Sequence, residues 1–168
     1  EKLADIFTYH VAEVESLEKL KMGQEEDSVF DIKILPNRAH DLLCHQGIAR
    51  EVASLLDITF NDPTPKYKVP NSKPTELKIE IKTDKCLRYI GRIVRNIKVG
   101  PSPDWVIQHL SSMGQRSINN IVDGANVVMF DCGQPIHCFD MDKVVGKIII
   151  RQATGGEEMT TLDNKQLK

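Results

Sequence analysis

The sequence predicts an α+β fold, in which a small two-layer α/β module is followed by part of a second domain that mixes helices with a sheet. Apolar residues recur every three or four positions in some segments, as in amphipathic helices, and alternate with polar residues in others, as in half-buried strands. Four prolines and little periodicity lie between Asn61 and Pro74, which is typical of a linker. We therefore divide the chain into a first module at residues 1–60, a proline-rich linker at 61–75 and a second domain at 76–168.

The first module is predicted to contain a helix, a strand and a second helix. Apolar residues at helical spacing predict an amphipathic helix over residues 2–20, and a loop should follow at Gly23 and the acidic residues 25–27. Residues 29–35 alternate apolar with polar side chains and predict a half-buried strand, which ends at Pro36–Asn37.

A helix over residues 47–56 completes the first module. Its buried face should comprise Ile48, Val52 and either Leu55 or Leu56. The turn before this helix contains Asn37 and Arg38 and allows two interpretations. It either binds a partner or is stabilised by these two side chains, because Asn caps nearby backbone groups and Arg clamps carboxylates.

The second domain is predicted to mix strands with helices. Strands are expected at residues 77–82, 86–97, 146–153 and 159–163. A helix over residues 103–113 should have Ser102 as its N-cap and should stop at Gly114. The glycine pair at residues 155–156 is typical of a hairpin turn.

The longest predicted helix begins after Ser117, a candidate N-cap, and ends at Gly133. Its apolar face comprises Ile118, Ile121, Val122, Ala125, Met129 and Cys132. The helix also contains Gly124, although glycine costs about 1 kcal/mol relative to alanine in a helix interior. A local packing or access requirement at Gly124 is therefore expected.

Asn126 and His137 are candidate neighbours in a pocket. Asn126 lies at the flank of the apolar face of the predicted helix rather than on its solvent side. Pro135 prevents the helix from resuming after Gly133, so the chain must turn before it reaches His137. This turn should bring the imidazole back toward the helix that the chain has just left.

Composition excludes several classes of protein. The 22 basic and 24 acidic residues give a net charge of −2, so any contact with RNA requires a local basic patch. The apolar runs are far too short to cross a bilayer, and no membrane partner is expected. Four cysteines without a CxxC pair predict free thiols and a cytoplasmic protein.

Two ordered signatures resemble a known family. The turn Gln134-Pro135-Ile136-His137-Cys138-Phe139-Asp140 follows a helix that carries Asn126, and residues 34–57 read ILPNRAHDLLCHQGIAREVASLLD. The chain resembles the beta subunit of bacterial phenylalanyl-tRNA synthetase over two regions. These are the first module and the leading part of the third and fourth modules, which form the editing domain of that family. The family's usual tRNA-binding insertion is replaced here by residues 20–29. A fragment of a longer chain, inactive by itself, is expected.

The resemblance implies a function. The parent enzyme would be a ligase that attaches phenylalanine to its tRNA with ATP and magnesium, and this region would need no cofactor of its own. Its partners would be the alpha subunit, tRNA and the ester of mischarged tyrosine, with no DNA. By motif position, His137 and Asn126 would lie in the editing pocket, whereas Gly124–Ala125 stand where the family commonly has a β-branched residue and threonine.

Editing also has a physical rationale. A pocket shaped for phenylalanine rejects the added hydroxyl of tyrosine by only about a hundredfold, so a second site that hydrolyses the tyrosyl ester improves accuracy. Asn126 offers a donor and an acceptor, and His137 would act either as general base or only to position water. The alternative for both residues is a structural role, in which each side chain simply satisfies nearby backbone groups.

Other residue clusters indicate chemistry less strongly. Zinc ligands are conceivable in two groups, but neither has paired ligand spacing: Cys132, His137 and Cys138; His40, Cys44 and His45. A basic segment could contact RNA phosphate or simply be solvated, and it contains Lys85, Arg88, Arg92, Arg95 and Lys98.

Two functional alternatives remain beside the ligase. The first is a stand-alone RNA-binding or interaction module without catalysis. The second is a free-standing deacylase that acts on mischarged tRNA. Measurable hydrolysis by these 168 residues alone would favour the deacylase.

Overall fold

The computed structural model of the chain describes residues 2–22, 25–66, 68, 75–161 and 164–168. Helices and small sheets occur together, so the predicted α+β fold is confirmed.

The chain divides into two compact units. Unit 1 comprises Glu1–Val69 and Lys98–Cys138, and unit 2 comprises Pro70–Ile97 and Phe139–Lys168. The first module and the two long helices after the predicted linker therefore belong to one unit. The predicted boundaries, with a linker at residues 61–75, stay a prediction, and residues 67 and 69–74 of that linker lie outside the described part of the chain.

Unit 1 opens with a short helix and a β-hairpin. Helix α1 (Lys2–His10) buries Phe7, and strand β1 (Glu13–Met22) pairs antiparallel with β2 (Glu25–Lys33) through a bulge near Val14. The prediction of a helix as far as residue 20 is therefore wrong beyond His10. Residues 13–22 instead pair with residues 25–33, and a local apolar repeat does not reveal whether such a partner segment exists.

The second strand is longer than its pattern predicted. Residues 25–27 were assigned to a loop but lie in β2, and the predicted strand at residues 29–35 ends at Lys33. Gly23, the other residue of the predicted loop, lies outside the described part of the chain.

A turn with 3-10 geometry at Pro36–Arg38 leads into α2 (Ala39–Leu42) and α3 (His45–Leu55). The α3 helix confirms the prediction for residues 47–56 with a slightly earlier start. Its fully buried residues are Gly47 and Ala53, while the predicted Ile48, Val52 and Leu55 are half-buried and Leu56 is exposed. Gly47 is buried because two stretches of backbone approach closely at this point. A Cβ on Gly47 would lie 1.7 Å from the Asp41 carbonyl oxygen.

Two helices follow in unit 1, α4 (Asp104–Ser112) and α5 (Asn120–Cys132). Both confirm the predicted helices, and α4 buries Val106 and Leu110. The predicted N-caps are wrong. Pro103 stands at the N-cap of α4, and the Asn119 side chain caps α5 by accepting from the backbone N–H groups of Ile121 and Val122.

The predicted helix end at Gly133 is confirmed. This residue adopts a left-handed conformation with φ of 77°, and its N–H donates to the Met129 carbonyl. The left-handed region favours glycine because it has no Cβ. Gly124, by contrast, is exposed in mid-helix, and a Cβ there would meet none of the described atoms within 4 Å, so close packing does not require this glycine.

Unit 2 contains two small sheets. Strand β3 (Lys78–Ile81) pairs parallel with β4 (Lys147–Ile150), and β5 (Met159–Thr160) pairs antiparallel with β6 (Gln166–Leu167). The strands predicted at residues 77–82, 146–153 and 159–163 are thus present in shorter form, although residues 162 and 163 lie outside the described part.

The predicted strand at residues 86–97 is wrong. The whole segment is described, yet it pairs with no strand among the described residues. Leu87 is 94% exposed and Ile90 is 70% exposed. A β-rich composition cannot form a strand without a neighbouring strand to receive its hydrogen bonds.

Two glycines, Gly124 within α5 and Gly133 directly after it, test the importance of the helix end. We expect Gly133→Ala to lower the free energy of unfolding by about 1 kcal/mol, because its left-handed backbone disfavours a Cβ. Gly124→Ala should raise it by about 1 kcal/mol, because alanine is the better helix former in open space. Urea unfolding of both variants measures the difference. Equal effects of the two substitutions would contradict the assignment.

Candidate functional site

The candidate site is built on α5, whose first turn is held by the carboxylate of Asp123. The Ser102 hydroxyl donates to this carboxylate at 2.5 Å, and the Ser117 hydroxyl donates at 2.6 Å. The backbone N–H of Ile118 donates to its other oxygen at 2.8 Å. Asp123 is fully buried, so one side chain joins the segment before α4 to the segment before α5. Ser102 and Ser117 therefore bind this carboxylate and do not cap the helices.

The hydrogen bonds determine the ionisation of Asp123. Burial by itself would raise the pKa of this carboxyl, because a charge is less stable away from water. The Ser102 and Ser117 hydroxyls and the Ile118 N–H outweigh that effect and lower the pKa below its ordinary value. Asp123 is thus a buried carboxylate that remains ionised at neutral pH.

The adjacent loop is fixed by Asn120, the first residue of α5. Its side-chain oxygen accepts from the Gly100 N–H at 3.1 Å, and its side-chain nitrogen donates to the Lys98 carbonyl at 3.0 Å. The backbone N–H of Asn120 donates to the Gly100 carbonyl at 2.9 Å. Together with Asp123, these bonds fix the start of the helix that carries Asn126.

The first module contacts the other end of α5. The Gln46 side chain of α3 donates to the Asp131 carboxylate of α5 at 2.9 Å. A Cβ on Gly133 would lie 3.4 Å from the Cβ of Cys44, so the two chains approach closely at this helix end. Helix α3 therefore positions the C-terminal end of α5.

The turn before α3 is held by Arg38. Its guanidinium donates to Asp41 at 2.7 Å and to Glu51 at 2.9 Å. These hydrogen bonds raise the pKa of Arg38 and lower the pKa of Asp41. The guanidinium therefore stabilises the turn by joining it to α3, as the second interpretation of this turn predicted.

The chain after Gly133 returns along α5. The thiol of Cys138 lies 4.0 Å from the Ile121 carbonyl oxygen, in the first turn of the helix. Ile121 and Asn126 are separated by about 7.5 Å along the helix axis. Cys138, the residue after His137, therefore lies beside the first turn of α5, which precedes Asn126 in the helix.

Asn126 and His137 differ in accessibility. Asn126 is half-buried in α5, and His137 is exposed on the returning segment. Within the described part of the chain, neither side chain forms a hydrogen bond with a protein group. The convergence of the two side chains on one pocket stays a prediction.

Two histidines form a contact inside unit 1. The rings of His45 and His109 meet edge to face with their centroids 5.5 Å apart. His45 is exposed as a whole residue, but partial loss of water around its ring lowers its pKa; the neighbouring His109 lowers that pKa further, while Asp131 acts in the opposite direction. Protonation of His45 is therefore unfavourable in the folded protein.

The cysteines are all free, as their spacing predicted. The Cys44 sulfur accepts from the Gly47 N–H at the start of α3, and the Cys132 thiol lies 3.1 Å from the Val128 carbonyl oxygen. Among the residues with described positions, no group of three or more His, Cys, Asp or Glu side chains could hold a metal ion. None of the described helices is both long and apolar enough to span a membrane.

Comparison with known proteins identifies the family. Residues 85–168, half of the chain, match the family model of the B3/4 domain. The chain belongs to the B3/4 domain family. The matched part of this B3/4 domain includes α4, α5, Asn126 and His137.

Three phenylalanine–tRNA ligase beta subunits are similar to the chain. The protein of Fusobacterium nucleatum subsp. nucleatum is 46% identical over 139 residues, which cover 82% of this chain and 17% of the relative. The Dehalococcoides mccartyi protein is 43% identical over 143 residues, which cover 83% of this chain and 18% of the relative. The Geobacter metallireducens protein is 42% identical over 145 residues, which cover 84% of this chain and 18% of the relative.

The chain bearing the B3/4 domain thus spans less than one fifth of the length of these relatives. The predicted resemblance to the beta subunits is confirmed.

The sequence analysis missed the residues that hold the site. Asp123, Gln46 and Asp131 were not singled out, although each joins two segments of unit 1. The available signal was a carboxylate in the first turn of a largely apolar helix, with Ser117 six positions upstream; Ser102, 21 positions upstream, gave no local signal. Such an acid stabilises a helix N-terminus and is often bonded by nearby hydroxyls.

Replacing Asp123 should destabilise unit 1. We expect Asp123→Ala to lower the free energy of unfolding by about 3 kcal/mol, because two hydroxyls and an N–H lose a charged acceptor. The matched Asp104→Ala, at an exposed acid in the first turn of α4, should cost less than about 1 kcal/mol. Chemical denaturation at neutral pH makes the comparison. Similar losses in both variants would refute the central role of Asp123.

The same carboxylate predicts a pH dependence. The pKa of Asp123 is lowered in the folded state, so its contribution is present above the unfolded pKa of about 3.9. That contribution is lost as the pH falls through the lower, folded pKa. The stability difference between the wild type and Asp123→Ala should therefore shrink in unfolding experiments below about pH 4.

The histidine contact predicts a second pH effect, in a different range. Because the pKa of His45 is lowered on folding, stability should decrease as the pH falls below the unfolded value of about 6.5. His45→Gln should lose less free energy of unfolding than the wild type between pH 7.5 and pH 5.5. His10→Gln, at an exposed histidine in the last turn of α1, is the matched control. Parallel pH profiles for all three proteins would exclude the effect.

Proposed function

We propose that this chain is part of a phenylalanine–tRNA ligase beta subunit and forms part of the pocket that hydrolyses tyrosine mischarged on the tRNA. The observation that carries the proposal is the match of residues 85–168 to the B3/4 domain, together with the similarity to beta subunits over 82% of the chain. The returning segment after Gly133, which runs beside α5, supports the assignment of the pocket.

Asn126 and His137 provide the groups that ester hydrolysis needs. A water molecule attacks the carbonyl carbon of the tyrosyl ester, and the bond from that carbon to the ribose oxygen breaks. The products are free tyrosine and the ribose hydroxyl, which takes up the proton that the water gives up. His137, exposed to solvent, either accepts the proton of this water or holds the water in place. The Asn126 amide, half-buried on α5, holds the substrate by donating or accepting a hydrogen bond.

A supporting role is assigned to the bonds around α5. Asp123 fixes the first turn of the helix, and the Gln46–Asp131 bond fixes its last turn. Asn126 lies between these two points, so its position along the helix is determined from both ends. Hydrolysis should be faster when the catalytic groups are held in place than when they move out of position.

The activity of the whole protein is part of the same proposal. The beta subunit would work with an alpha subunit and tRNA, and the ligation reaction would use ATP and magnesium.

Tyrosyl-tRNA hydrolysis by the complete beta subunit, paired with its alpha subunit, tests the site. We expect His137→Ala to lower the hydrolysis rate about 100-fold if the imidazole acts as general base. Asn126→Ala should lower the rate about 10-fold, because one hydrogen bond to substrate is lost. Attachment of phenylalanine to tRNA should be unchanged in both variants.

His40→Ala is the matched control, since its side chain is exposed and lies outside the proposed pocket. It should hydrolyse tyrosyl-tRNA at the wild-type rate. Unchanged hydrolysis in both His137→Ala and Asn126→Ala would remove these residues from the site. His137→Gln separates the two roles of His137, because an amide can hold a water by hydrogen bonding but cannot take up its proton.

A further inference from the structure

The returning segment, residues 133–138, is attached at both of its ends. At one end Gly133 closes α5 in a left-handed conformation, with φ of 77°. At the other end the Cys138 thiol lies 4.0 Å from the Ile121 carbonyl oxygen, in the first turn of α5. The position of His137 therefore depends on where these two ends are held.

The returning segment has little slack. Gly133 follows Ile121 by 12 positions, which correspond to about 18 Å along the axis of α5. Five residue steps lead from Gly133 back to Cys138, and an extended chain of that length spans at most about 18 Å. Residues 134–138 accordingly contain no helix or turn. A shift of Gly133 is therefore passed on to His137 instead of being absorbed by a loop.

The first module contacts the Gly133 end of this segment. The Gln46 side chain donates to the Asp131 carboxylate at 2.9 Å, two positions before Gly133. The Cys44 sulfur lies 3.5 Å from the point that a Cβ on Gly133 would occupy. Both contacts come from the start of α3, so this helix end determines where α5 ends.

The start of α3 is itself fixed, which makes Gln46 a firm point of attachment. The Gly47 N–H donates to the Cys44 sulfur at 3.3 Å, and Arg38 joins the preceding turn to Glu51 of α3 at 2.9 Å. Gln46 also donates to a carboxylate, and hydrogen bonds to charged groups are about twice as strong as those between neutral groups. A displacement of α5 relative to α3 would break this bond.

We propose that Gln46 is a positioning residue for His137 and that it acts through Asp131 and Gly133. The inference rests on the proposed function, in which His137 takes part in ester hydrolysis, and it adds a residue of the first module to those on which the site depends. Gln46 does not touch the substrate. It keeps the end of α5, and with it the returning segment, where the imidazole meets the attacking water.

A purely structural role for Gln46 has different consequences. Loss of a bond that only stabilises unit 1 would lower the free energy of unfolding and leave the folded enzyme equally active. Loss of a positioning contact lowers kcat in the folded enzyme, and this effect requires the imidazole of His137.

Hydrolysis of tyrosyl-tRNA by the complete beta subunit, paired with its alpha subunit, tests the proposal in a double-mutant cycle. Gln46→Ala should lower kcat about 10-fold, because a small displacement of a catalytic group costs rate, and should leave KM nearly unchanged. In the His137→Ala background the same substitution should change the rate by less than about twofold, because no imidazole is left to misplace. Attachment of phenylalanine to tRNA should be unchanged throughout.

An exchange of the two partners, at unchanged side-chain length, tests the bond itself. Gln46→Glu should slow hydrolysis at least as much as Gln46→Ala, because it sets two carboxylates against each other. Adding Asp131→Asn should restore the rate to within about threefold of the wild type, since an amide then donates to a carboxylate in the opposite direction.

Gln108→Ala is the matched control, at an exposed glutamine of α4. It should hydrolyse tyrosyl-tRNA like the wild type. Wild-type hydrolysis by Gln46→Ala, an equal loss with and without His137, or failure of the Asp131→Asn exchange to restore the rate would each overturn the proposal. Loss of activity in His137→Ala without any loss in Gln46→Ala would reject this inference alone, whereas full activity in His137→Ala would reject the proposed site as well.

Discussion

The buried carboxylate of Asp123 is the interaction on which the rest of unit 1 depends. It accepts hydrogen bonds from Ser102, Ser117 and the Ile118 N–H, and these residues belong to the two segments that lead into α4 and α5. A charge without water is stable only when its hydrogen bonds are complete. The relative positions of the two segments therefore cannot change without exposing the carboxylate or leaving it unpaired.

The proposed pocket inherits its geometry from this arrangement. Asp123 fixes one end of α5, and contacts from the first module fix the other, through Gln46 on Asp131 and Cys44 against Gly133. The helix is thereby held at both ends while the returning segment remains exposed. Such a division, with a rigid helix on one side and an accessible loop on the other, suits a site that must admit the end of a large substrate.

Periodicity predicted helices well and isolated strands poorly. Helices α3, α4 and α5 lie close to their predicted ranges because caps, glycines and apolar spacing act within each segment. The opening helix was extended into β1, and residues 86–97 were assigned to a strand. Both errors have one cause, since a strand depends on a partner segment and local pattern does not reveal whether that partner exists.

The sequence by itself determined the mixed fold class, the free cysteines, the end of α5 at Gly133 and the family resemblance, because each follows from local pattern, residue spacing or the order of short motifs. Only the tertiary structure decided which groups from distant parts of the chain contact each other. Ser102 and Ser117 were expected to cap helices but bind Asp123, and Gln46 reaches Asp131 across 85 positions. Such contacts depend on how the segments pack, and a side chain's local pattern carries no record of a distant partner.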